Sequence, residues 1–284
     1  MLDSIVQGVL LGGLYAVFAA GLTLMFGVMR IVNLAHGDLI ILAAYLTLVA
    51  VEVTGANPLV VAPLVALAMS AIGYALQRGI LNRTVGTGLL PPLIVTFGVS
   101  IVIQNVLQQL FSADTRGLDA GAVELASVDL GAVTAGWFPL LSLVLAVAVI
   151  AALGLLFGRT RIGRAFRAVS DDPEAARMMG IRTRHVFAAA TAVAMLVVGI
   201  AGVVLGIRTQ FDPSLGPGRL IFAFEAVIIG GLGSLWGTLA GGMVLGVAQN
   251  VGAYFSPGWR ELAGHLVFLV VLGFRPQGLF GRAE

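Results

Sequence analysis

An all-α, polytopic membrane fold follows from three features of this chain. They are its apolar load, the length of its apolar runs, and the confinement of charge to a few short segments. Hydrophobic residues make up 59% and charged residues 11%, where an ordinary soluble domain carries about 25% charged residues. Mean hydropathy is +1.03. A helix needs about 20 apolar residues to cross a bilayer. The 284 residues therefore allow about eight transmembrane helices, one shorter half-helix or re-entrant segment, and short loops. Nothing is left over for a soluble domain, so residues 1–284 read as a single transmembrane domain.

The first span covers 5–28. It is too long for a secretory apolar region and no basic segment precedes it, so it is expected to remain as a spanning helix. Further spans fall at 39–55, 58–77, 90–111, 138–157, 186–207, 235–254 and 260–274. The run 221–231 is too short for a hydrocarbon core of about 30 Å. Such a segment is tolerated at depth only when packed in protein or lining a cavity.

Arginine sets the orientation. The loop with Arg78 and Arg83, the loop 158–185, and the tail with Arg275 and Arg282 are basic and are expected on the cytoplasmic side. The loop 112–136 holds Asp114, Asp119, Glu124 and Asp129 against Arg116 alone, and is expected outside. This places the N-terminus outside and the C-terminus in the cytoplasm. The sides alternate only if 221–231 and 235–254 together enter and leave on one side.

Several chemistries are excluded. Cysteine is absent, so there are no disulfides or thiolate metal sites. All sixteen basic residues are arginines, so the phosphate-binding lysine of a P-loop is missing and any ATP must be hydrolysed by another chain. The net charge of +2 sits mainly in one loop and does not suggest nucleic acid. Histidines 36, 185 and 265 stand far apart, with no HExxH, GxSxG or paired in-span carboxylates. No enzyme activity, metal or cofactor is expected.

The segment 159–185 carries seven arginines. Within it Asp171-Asp172-Pro173 opens a short helix, because carboxylates cap free N–H groups and Pro suits the first turn. That helix runs from Glu174 to Met179 and ends at Gly180. A short amphipathic helix held outside the membrane reads as a docking device for a soluble partner. Glycines four apart (Gly8 and Gly12, Gly202 and Gly206, Gly233, Gly237 and Gly241, Gly242 and Gly246) allow close backbone approach, mainly within the chain.

Three other places invite a pathway role. Asn33-Leu34-Ala35-His36-Gly37-Asp38 is a polar break where a helix restarts, with Asp38 placed to cap it. It reads as a broken-helix gate or as a capped interfacial loop. Gly230-Gly231-Leu232-Gly233-Ser234 reads as a pathway-lining break or as a tight turn. Glu225 is the one acid well inside an apolar run. Such a group marks function by default, or it pairs structurally with Arg208 or Arg219. Gln104, Asn105, Gln249, Asn250 and His265 read as interhelical hydrogen-bond partners. A glycine-rich run ending at Arg30 and another ending at Arg208 precede similar breaks on opposite sides, which reads as an inverted repeat or as chance similarity in glycine-rich apolar sequence.

Four stretches resemble a known family: 27–37, Asp171 to Ile181, Ile229 to Gly237, and Arg275 to Gly281. Over nearly its whole length the chain is similar to the inner-membrane permeases of bacterial ABC importers for branched-chain amino acids. Glu174-Ala175-Ala176 with Gly180 resembles the loop that seats in the ATPase subunit. The resemblance implies that Asp171, Asp172, Pro173, Glu174, Ala175, Ala176, Gly180 and Ile181 form the coupling element. On an alternating-access reading of the residues themselves, substrate is expected to pass near Asn33, His36, Gly37, Asp38, Glu225, Gly230, Gly231, Gly233 and Ser234, although Glu225 matches no signature of the family and its role stays open. The implied partners are a homologous second permease, two cytoplasmic ATP-binding subunits, a periplasmic substrate-binding protein, membrane lipid and a small-molecule substrate. Urea, short amides or other amino acids are the alternative cargo. A proton-coupled secondary transporter or a passive channel would have no use for the docking helix.

Overall fold

A computed structural model describes residues 1–121, 123, 126–129 and 134–281. Its helices are α1 (Leu2–Met29), α2 (His36–Thr54), α3 (Pro58–Gly79), α4 (Leu90–Phe111), α5 (Trp137–Arg159), α6 (Arg161–Asp171), α7 (Pro173–Met178), α8 (Thr183–Arg208), α9 (Gly216–Gly230), α10 (Leu235–Phe255) and α11 (Arg260–Phe274). A small antiparallel pair, β1 (Ser127–Asp129) and β2 (Thr134–Gly136), lies between α4 and α5. Six of these helices are long and apolar enough to cross a membrane, and α9 and α10 form a pair bent by 117°. The protein is therefore all-α and polytopic. Local chemistry sets the boundaries. Asn57 caps α3 through Leu59 N, with Pro58 in the first turn, and Ser234 caps α10 through Gly237 N. Gly55 closes α2 in the left-handed conformation.

The basic segments gather at one end. Asn82 Nδ2 donates to Arg184 O at 3.0 Å and Ser170 Oγ donates to Gly27 O at 2.6 Å. Leu279 N and Phe280 N donate to Ile229 O and Gly230 O. At the other end, Arg116 and Phe211 exchange both backbone hydrogen bonds at 2.8 Å, and Asn57 Nδ2 donates to Ala120 O. The acidic loop thus lies at the end opposite those basic segments, as the charge segregation of the sequence predicts. Glu124 and Arg282 lie outside the described residues.

The core is built on glycine seams. α1 packs antiparallel on α10. A Cβ added at Gly12 would fall 2.4 Å from Met243 Cα, and one at Gly246 would fall 2.3 Å from Gly8 O. The spacing of four places small residues on one face of each helix, so the backbones touch. The α3–α8 pair repeats the arrangement, with Gly199 against Ala66 and Gly73 against Met195.

The two pairs are related by an inverted repeat. α1 runs its full length, the chain turns back through 30–35, and α2 starts beside the middle of α1, where His36 bonds Phe18 O at 2.7 Å. α8 runs the opposite way, the chain turns back through 209–215, and α9 starts beside α2. α1 packs on α10 as α8 packs on α3, and α2 packs on α8 as α9 packs on α1. The echo between the runs ending at Arg30 and Arg208 is thus a relation between two halves of the fold.

The seam makes a direct prediction. Gly246→Ala is expected to destabilise the protein by about 1–3 kcal/mol through overpacking. Gly154→Ala, where an added Cβ meets nothing within 4 Å, is expected to leave stability unchanged. Thermal unfolding midpoints of the two variants in the same detergent check this.

Candidate functional sites: the basic loop and the mid-membrane crossover

The loop between α5 and α8 is a bracket of two short, capped helices. Thr160 caps α6 by accepting from Gly163 N at 3.0 Å. α6 buries Phe166 and Val169 and turns Arg161, Arg164 and Arg167 outward. Ser170 fastens its last turn to the end of α1. Asp171 is the last residue of α6, and Asp172 is the cap of α7. Asp172 Oδ1 accepts from Glu174 N at 2.9 Å and Ala175 N at 3.0 Å, with Pro173 opening the helix. Ala176 is buried, and Gly180 reverses the chain at φ +84°. Ile181 N donates to Ala176 O at 3.0 Å, closing the turn. The bracket holds the far side of α7 out to solvent. Glu174 is exposed, and Met178 and Met179 are 82% and 83% exposed. Two adjacent bare methionines form an adaptable apolar knob. Their exposure depends on which face the anchored α6 turns inward, which no motif at 178–179 reveals.

The second site is where α2 and α9 begin. The first turns of α2 and α9 meet in the interior of the fold. A Cβ on Gly37 would lie 1.9 Å from Gly216 O, and one on Gly216 would lie 2.0 Å from Asp38 Oδ1. Only glycine fits on either side. Asn33 is buried and its Oδ1 accepts from Ala35 N at 3.0 Å. His36 Nε2 donates to Phe18 O, and its Nδ1 has no partner among the described residues. Asp38 Oδ1 accepts from Gln104 Nε2 at 2.9 Å, whereas Oδ2 is buried and unpaired among the described residues. Asp38 does not occupy the N-cap position of α2, which is Ala35. Its carboxyl lies instead where the positive ends of two helix dipoles converge.

Glu225 does not pair with Arg208 or Arg219. Its Oε1 lies 2.5 Å from His265 Nδ1 on α11, and Oε2 is buried without a partner among the described residues. His265 is half-buried and stacks on Phe222 at 6.2 Å. Gly230, Gly231 and Gly233 form the turn into α10 at the basic end, with φ +105° at Gly231 and +82° at Gly233. Ser234 caps α10. The tail clasps this turn, so that a Cβ on Gly278 would fall 2.5 Å from Gly231 Cα. Asn33, His36, Gly37 and Asp38 therefore form one cluster, Glu225 belongs to a second, and Gly230 to Ser234 to a third at the base. The partnering role of Gln104 is legible from its place in an apolar span. The contact of Gly216 with Asp38 is not, since nothing local to 216 marks it.

The chain is thus a polytopic membrane protein with a bent helix pair and a short capped helix held out at its basic end. The family model for "Branched-chain amino acid transport system / permease component" matches residues 4–274, and the chain belongs to that family. It is 30% identical over 298 residues to the high-affinity branched-chain amino acid transport system permease protein BraD of Pseudomonas aeruginosa, covering 100% of this chain and 96% of that protein. It is 29% identical over 304 residues to the permease protein LivH of Escherichia coli K12, again covering 100% and 96%. Among solved structures it is similar in fold to PsaBC from Streptococcus pneumoniae in complex with Fab, with a TM-score of 0.50 and 14% identity over 99% of this chain and 98% of that one.

Removing the α7 cap isolates its contribution. Asp172→Ala is expected to cost about 1 kcal/mol locally. Hydrogen exchange at residues 174–179 is then expected to quicken by roughly fivefold, with the protection of α1 and α10 unchanged.

Proposed function

We propose that this permease works in the bacterial inner membrane as one half of a translocation unit for branched-chain amino acids, with its N-terminus outside and its C-terminus in the cytoplasm. The partners are a homologous second permease, two cytoplasmic ATP-binding subunits and a periplasmic binding protein. The observation that carries this reading is the bracketed α7, which presents Met178 and Met179 bare to solvent. An anchored helix with an exposed apolar knob suits a groove on a soluble subunit. The excess of arginine at the same end supports a cytoplasmic placement, which is where ATP is found.

The mechanism follows from the bracket. A push on α7 reaches α1 through the Ser170–Gly27 hydrogen bond and reaches α8 through the turn at Gly180. α1 and α8 are the two long helices whose returning segments lead into α2 and α9. Relative movement of the two repeats is therefore transmitted to the Gly37–Gly216 contact. Substrate passes beside Asn33, His36 and Asp38, and then beside Glu225 and the turn from Gly230 to Ser234. Binding energy differences between the two states, supplied by ATP in the partner subunits, drive the exchange.

Transport of leucine into proteoliposomes holding the whole complex tests this reading. Met178→Ser/Met179→Ser and, separately, Glu174→Ala are expected to lower ATP-driven uptake about tenfold or more, about 1.4 kcal/mol of lost coupling. The folded yield of the permease is expected to be unchanged. Wild-type uptake by both variants, or uptake by this chain alone without ATP, would overturn the proposal.

A further inference from the structure

A pocket of about 480 Å³ opens at the basic end between the foot of α3, the docking helix α7 and the start of α8. Its charged walls are Arg78, Arg177, Arg182 and Arg184, with His185 beside them and no carboxylate among its lining residues. None of these arginines is in an ion pair among the described residues. Four arginines line the pocket with no carboxylate among its lining residues, and an anion with more than one acceptor oxygen answers that charge.

The surroundings narrow the choice of anion. α3 leaves Val60, Leu64, Leu67, Ala71 and Ala75 exposed. Spaced three or four apart, they form one apolar stripe on a helix, and the stripe runs down to Arg78. Tyr74 lies against the pocket, its hydroxyl 3.0 Å from His185 Nδ1 and the two rings edge-on. An aromatic side chain at the foot of an apolar stripe marks the level of lipid headgroups. A soluble polyanion or an acidic protein surface would answer the arginines and leave the stripe bare. One molecule answers both.

We infer that this pocket holds the phosphate headgroup of an acidic phospholipid, with an acyl chain lying along the exposed stripe of α3. The lipid ties α3, α7 and α8 together. It thereby stiffens the docking helix against the membrane core through contacts separate from the Ser170 anchor. The inference rests on the membrane-spanning fold and not on the identity of the cargo.

The test uses the full chain in lipid nanodiscs and phosphatidylglycerol as the probe. Discs of phosphatidylcholine alone are compared with discs also containing phosphatidylglycerol. Hydrogen exchange is read at residues 177–186, and retained lipid is counted by native mass spectrometry. Phosphatidylglycerol is expected to slow exchange in this segment, and one such lipid is expected to stay bound. Arg78→Gln/Arg182→Gln is expected to lower retention by about tenfold or more. Arg161→Gln/Arg164→Gln, which removes the same charge from the outer face of α6, is expected to keep it. Equal losses in the two double variants would reduce the effect to general surface charge and overturn the inference. So would exchange that ignores phosphatidylglycerol and slows only when the ATP-binding subunits are added, since the pocket would then be a protein interface. Leucine transport enters neither readout, so failure of the proposed cargo leaves this result standing.

Discussion

The fold depends on one contact, the meeting of Gly37 with Gly216. In hydrocarbon every backbone donor and acceptor must find a partner within the protein. A chain that starts two helices in the interior leaves unpaired N–H groups at both first turns. This protein packs those two first turns against each other. The segment before α2 is satisfied by Asn33, Thr96 and its own turn. The segment before α9 is satisfied by Asp212 and Arg116. Any side chain at 37 or 216 would drive α2 and α9 apart and reopen those groups.

Around that contact the rest of the architecture is an exercise in close approach. Lipid offers no hydrophobic drive for helices to associate, so packing must supply it. The α1–α10 and α3–α8 seams do so with backbone-to-backbone contacts at glycine and alanine. The inverted repeat makes the two seams equivalent. The long helices α1 and α8, which also lead into α2 and α9, are the most enclosed of the spans. α4 and α11 keep most of their large apolar side chains on the outside, where lipid or further subunits meet them.

The bracket at the basic end connects this interior to the water outside. Its parts are ordinary: a Thr cap, an amphipathic helix, an Asp-Pro helix start and a glycine reversal. Their combination fixes the direction in which six residues of helix point. Charge enters separately, because the arginines that line the pocket beside the bracket share it with no carboxylate and are in no ion pair among the described residues.

Much of this was legible in the residues. Apolar runs of about 20 residues fix where the spans lie, since the bilayer thickness leaves little choice. The spans at 58–77, 90–111 and 260–274 match helices within two residues. Arginine segregation sorts the loops into two sets, and Asp172-Pro173 announces α7, because capping is chemistry within four residues. α9 begins at Gly216, five residues before the apolar run at 221, because its first turn contains Gly, Pro and Arg that hydropathy does not count. α6 was hidden for the reason that its charge conceals Phe166 and Val169.

Tertiary structure alone decided what the local signals meet. The partner of Glu225 is His265, forty residues away on a helix whose rotation nothing local specifies. Gly230 to Ser234 forms a clasped turn because the tail from 278 to 280 folds back under it. The exposure of Met178 and Met179 is set by the anchor from Ser170 to α1. Sequence thus determined the elements, their ends and the sorting of charge, which depend on short-range backbone chemistry and on the bilayer as solvent. Which elements touch, and which polar atoms are left facing one another, was decided by packing between segments distant in the chain.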